Sequence, residues 1–85
     1  MRRCVSVFLN DPRTPKEPLP ALIGYSERVR GHVYEAWQRG DHRYVLIRAE
    51  MRAGDDHEEV ELAVLSSEEE AIAALLRAVR TALSD

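Results

Sequence analysis

The side chains in this sequence that could do chemistry are three histidines, one cysteine, a serine pair, an acidic run and a stretch of arginines interleaved with tyrosines. Histidine titrates near neutrality and is the commonest metal ligand, so His32, His42 and His57 invite an acid–base or metal reading. His42 follows one turn signal and His57 follows the next. The extended segment between them, at ~3.4 Å per residue, holds them roughly 30 Å apart, too far to share an ion within one chain. His32 falls among arginines, which oppose a bound cation. No metal site is expected. Cys4 is the only cysteine, which excludes an internal disulfide and a cysteine-pair zinc site; at the start of an apolar run it reads as a small buried hydrophobe.

Nucleophilic catalysis lacks a constellation, because Ser66 and Ser67 have no histidine placed beside them and are needed to cap a helix. Asp55, Asp56, Glu58 and Glu59 are acidic enough to attract a hard cation, but the calcium-loop spacing is absent and a solvated turn accounts for them. Gly24, Gly31, Gly40 and Gly54 stand singly and form no phosphate-cradling loop. The sequence therefore predicts no catalytic residue, no cofactor and no enzyme. What remains is a candidate binding face: Arg28, Arg30, His32 and Tyr34 on one expected strand, with Tyr44, Leu46, Arg48 and Arg52 on the next. Arginine meets phosphates and tyrosine stacks on bases, so nucleic acid is one candidate partner. A protein contact is another, and a ladder of arginines opposite Glu50, Glu59 and Glu61 is the plainest account.

Those residues need a sheet to hold them. Residues 2–9 form a short β-branched run that stops at Asn10-Asp11-Pro12. Residues 10–26 hold all four prolines, a stiff extended connector that could also dock in an aromatic groove, followed by an apolar patch, Ala21 to Tyr25, that suits either a short extra strand or a lid on the core. From 28 to 38, Val29, Gly31, Val33 and Trp37 alternate with the basic and aromatic set, Glu35 being the misfit. A turn at Arg39-Gly40-Asp41 leads to a strand over 42–52, with Val45, Ile47, Ala49 and Met51 on its apolar side. A second turn at Ala53 to Asp56 leads to a strand over 58–65, in which Val60, Leu62 and Val64 alternate with Glu59, Glu61 and Ala63.

Ser66 and Ser67 with Glu69 and Glu70 match the helix-start capping box. The spacing of Ile72, Leu75, Leu76, Val79 and Leu83 predicts an amphipathic helix over 67–83, with Arg77 and Arg80 pointing away from the sheet. The expected fold is α+β: an antiparallel sheet of a first strand plus a three-stranded meander, one C-terminal helix packed on its apolar face, order β-β-β-β-α, one domain over 1–85. Three antiparallel strands and a helix over Arg28 to Leu83 resemble, in topology, the double-stranded-RNA-binding and integrase arm-binding folds, which implies a duplex-contacting sheet or helix. The RNA-binding domains place basic residues where this chain has Glu68, Glu69 and Glu70, and an acidic helix start repels phosphate.

Composition bounds the rest. At 85 residues, 45% hydrophobic and 32% charged, the chain suits one small globular core rather than disorder. Its net charge of -3 argues against indiscriminate phosphate binding. Apolar runs fall far short of a membrane span, and the N-terminal stretch lacks a signal-peptide pattern, so a cytoplasmic location is expected. Arginine supplies eleven of the twelve basic residues, a bias that suits a GC-rich bacterial source and is compatible with a thermophilic one. A core this small gains from association. The functional expectation is a non-enzymatic interaction or accessory module acting as a homodimer, with nucleic-acid binding through the arginine and tyrosine face as the alternative.

Overall fold

The computed structural model describes residues 6–10, 19–51 and 57–84. Cys4, the proline run through Pro18, Arg52 and the Ala53–Asp56 turn lie outside the described residues, as do the side chains of Met51 and His57. Strands β1 (Val7–Leu9), β2 (Ala21–Ser26), β3 (His32–Gly40), β4 (Arg43–Met51) and β5 (His57–Leu65) are followed by helix α1 (Glu68–Ser84). Strand order across the sheet is chain order, and every neighbouring pair is antiparallel. The α+β class, with an antiparallel sheet and one C-terminal helix on it, is thus as expected. The sheet gains a fifth strand, because Ala21–Ser26 pairs with β1 on one side and β3 on the other.

The entry to β3 departs from the expected continuous strand over 28–38. Val29 and His32 exchange backbone hydrogen bonds, Val29 N donating to His32 O at 2.7 Å and His32 N to Val29 O at 2.9 Å. Between them Arg30 and Gly31 take φ of 50° and 84°, the two positive values of a type I′ turn. The alternation of Val29 and Gly31 with Arg28 and Arg30 is therefore a hairpin corner that mimics a strand. At the next corner the tip is Asp41-His42, with His42 at φ 56°, one residue later than the expected turn.

The faces of the sheet are the reverse of those expected. Helix α1 covers the side bearing Tyr34, Ala36, Tyr44 and Leu46, all buried, and not the side of Val33, Trp37, Val45, Ile47 and Ala49. Both sides of β3 and β4 are apolar, so a period of two cannot choose between them. Steric relief can. Gly24 pairs with Ala36 in register, making a shallow trough, and Leu75 of the helix reaches into it: a Cβ added at Gly24 would lie 3.4 Å from Leu75 Cδ2. On the opposite side the indole of Trp37 would hold a helix away.

Three bulges adjust the register. Ile23 in β2 and Arg39 in β3 are passed over by their partners, and Leu62 in β5 is passed over between Leu46↔Ala63 and Ile47↔Glu61. The Leu62 bulge breaks the expected alternation of β5: Val60 lies opposite Arg48 on the helix side, whereas Val64 lies opposite Val45 on the far side. It also dissolves the expected ladder of opposite charges. Arg48 faces Val60, while Glu59 and Glu61 are opposite Ala49 and Ile47.

Helix α1 begins as its sequence directs. Ser67 caps it, its Oγ accepting a hydrogen bond from Glu70 N at 3.2 Å, and Ser66 Oγ donates to Glu70 Oε1 at 3.4 Å. Glu68, Glu69 and Glu70 occupy the first turn, where the dipole favours anions. The buried stripe is Ala71, Leu75, Val79 and Ala82; Leu76, expected in it, is 43% exposed. Alanines at the stripe's two ends let the helix lie close to the trough. Its last turn carries no basic residue of its own. Arg30 supplies one from the β2–β3 corner, its Nε donating to Ala82 O at 2.8 Å.

Candidate functional site

Between the helix and the β4–β5 side of the sheet lies a cleft of about 660 Å³. Arg30, His32, Tyr34, Leu46 and Arg48, five of the expected binding-face residues, line it together. They do so beneath and beside the helix and not on an open sheet face as expected. The other three go elsewhere: Arg28 is exposed beyond the cleft, Tyr44 is 6% exposed in the core, and Arg52 lies outside the described residues. The helix contributes Arg77, which was expected to point away, together with Ala74, Ala78 and Thr81. Leu62, pushed out by the β5 bulge, forms part of the wall.

The cleft is cationic with an apolar floor. Among the described residues no carboxylate lines it, and no ion pair engages Arg30, Arg48 or Arg77. Arg48 is half-buried, and its Nε is shielded from solvent without a partner among the described residues; His32 Nδ1 is in the same state. Glu50 stands opposite His32 in the β3–β4 register but is not part of the lining. Tyr34 and Tyr44, at 8% and 6% exposure, present no open ring face for a base to stack on.

The far side of the sheet is a second candidate surface. Val45 and Ile47 are buried there without help from the helix, at 2% and 5% exposure, flanked by half-buried Leu22, Val33 and Trp37. Glu35, the misfit of the sequence pattern, lies on this side, where its Oε1 accepts a hydrogen bond from Trp37 Nε1 at 3.1 Å. Arg39 and Glu61 pair at 3.5 Å, reaching over β4 from β3 and β5. Phe8 and Tyr25 stack at the margin with ring centroids 5.2 Å apart, and Val64 is 66% exposed at the β5 edge.

The histidines stay apart, with His42 exposed at a hairpin tip and His32 on the cleft wall. Among the described residues no group of three or more His, Cys, Asp or Glu could hold a metal ion. Ser66 and Ser67 are engaged at the helix start. Among the described residues no helix is long and apolar enough to cross a membrane. Comparison with protein-family models, with curated proteins and with solved structures returns no match, so the site is read from its own geometry.

Proposed function

We propose that the protein is a non-enzymatic interaction module of the cytoplasm that works as a homodimer, two sheets packing through the faces that their helices leave uncovered. The observation that carries this reading is the far side of the sheet, where the helix does not pack and half-buried Leu22, Val33 and Trp37 lie with Val64, 66% exposed at the β5 edge. Stacked sheets pack about 10 Å apart through such interdigitating faces. A second copy is the fitting occupant because the Arg39–Glu61 pair puts both signs of charge on one face, so that a like face is not repelled by a single sign. Face-to-face packing is favoured over edge pairing. The β5 edge carries Glu58, Glu59 and Glu61, and strands so charged resist a copy of themselves.

Light-scattering mass at micromolar concentration tests the reading, with twice the chain mass expected. Trp37→Arg and Val64→Arg should each return the chain mass while leaving the circular dichroism spectrum intact. A parent protein that runs as a monomer overturns it.

A further inference from the structure

We infer that the cleft between α1 and the β4–β5 half of the sheet is a binding site for a small amphiphilic anion, a carboxylate or phosphate head on an apolar body. At about 660 Å³ it falls within the range of small-molecule sites, roughly 300–1,000 Å³. Its two halves have different chemistry. Leu46, Leu62, Ala74 and Ala78 offer a surface for a hydrocarbon body. Arg30, Arg48 and Arg77 converge from a turn, a strand and the helix on the same opening.

Convergent cations repel one another, and each is normally offset by a nearby acid. Here the acids are placed otherwise. Glu59 and Glu61 are turned to the far side by the Leu62 bulge, Glu68, Glu69 and Glu70 occupy the first turn of the helix, N-terminal to Arg77, and Glu50 and Glu58, which pair on Arg48's side of the sheet, are not among the described residues that line the cleft. Arg30 is oriented by Ala82 O through Nε alone, which leaves the terminal nitrogens of its fork to bind an anion. Arg48 has its Nε shielded from solvent with no acceptor among the described residues, the state in which a planar guanidinium gains most from a carboxylate or phosphate. A neutral apolar ligand would leave these charges unanswered, and a cationic one would be repelled. The cleft and the proposed dimer face lie on opposite sides of the sheet, so either reading can fail without the other.

The test is a titration with decanoate, followed by calorimetry and by amide shifts, with decanol, acetate and decyltrimethylammonium as companions, all well below micelle formation. Decanoate should bind at least tenfold more tightly than decanol or acetate, weaken with added salt, and move the amides of Ala78 and Thr81 but not the Trp37 indole on the far side. Decyl phosphate in place of decanoate tells the two head groups apart. Arg77→Met, at an exposed helix position, and Arg48→Met should each weaken decanoate about tenfold or more while leaving decanol unchanged. Thr81→Trp should block both ligands without changing charge. If Arg48→Met does not fold, Arg77→Met and Thr81→Trp decide the matter. Equal binding of decanol and decanoate, unaltered binding to the Arg77→Met and Thr81→Trp proteins, or no binding at all overturns the inference.

Discussion

Replacing Gly24 by alanine should loosen the first strand without touching the rest of the fold. A Cβ at this position would lie 2.6 Å from Leu9 Cδ2, 2.9 Å from the backbone oxygen of Phe8 and 3.4 Å from Leu75 Cδ2. The Leu9 tip can rotate away. The Phe8 carbonyl cannot, because β1 is fixed at both ends: Asn10 N donates to Ile23 O at 2.9 Å and Glu27 N donates to Ser6 O at 3.0 Å. The Asn10 side-chain amide also donates to Leu22 O. Clearing the methyl therefore means tilting the whole three-residue strand. Such overpacking costs about 1–3 kcal/mol. Loss of glycine freedom in the unfolded chain offsets about 0.4–1 kcal/mol of it. The net expectation is a loss of about 1–2 kcal/mol, or roughly 4–16 °C in Tm for a domain of this size. Urea melts followed by Trp37 fluorescence give the stability, and hydrogen exchange at the Asn10 and Glu27 amides reports the strand itself. In a Leu9→Ala background most of the cost should persist, since the backbone contact remains. A Gly24→Ala protein as stable as its parent, with both amides still protected, would refute the reasoning.

Five further substitutions probe the supports of the cleft. Ser26→Ala removes the Oγ that accepts Tyr34 N at 3.1 Å in a buried setting, and stranding that N–H should cost about 1–3 kcal/mol in a denaturant melt. Ser67→Ala deletes the helix cap and should cost about 1 kcal/mol, whereas Ser66→Ala should stay within about 0.5 kcal/mol, a contrast that thermal melts of the two proteins will show. Arg30→Gln loses the contact to Ala82 O and the charge at the helix C-terminus, a cost of about 0.5–1.5 kcal/mol. Arg30→Gly loses the same contact but suits the φ of 50°, so paired urea melts should find it the more stable of the two variants.

The elements were legible in the sequence wherever one local signal was enough. Ser67 and the three glutamates after it mark the helix start, and the strands over 42–52 and 58–65 appear within a residue or two of their bounds. Five of the eight candidate residues meet in one cleft. Their setting was not legible. Choosing which apolar side of β3 and β4 the helix covers depends on the Gly24–Ala36 trough, and that pairing exists only once β2 is in the sheet. Arg30-Gly31 continued an apparent alternation, so a turn passed for strand. The Leu62 bulge leaves no mark in composition, yet it alone sends Glu59 and Glu61 away from Arg48. Arg77 was placed by helical periodicity on the outward side, where it still borders a cleft whose other wall is a distant strand.

The joining of β5 to the helix through Ser66 and Ser67 also bears on how the chain is made. All five strands pair with their sequence neighbours, so the sheet can assemble as it leaves the ribosome, hairpin by hairpin, from local contacts. The helix is synthesised after every strand it covers. Until it arrives, Tyr34, Ala36, Tyr44 and Leu46 face solvent on a finished sheet, and a nascent or truncated chain ending before Ser66 presents a sticky apolar plane on each side. Covering of that plane therefore waits on synthesis of the seventeen residues of the helix.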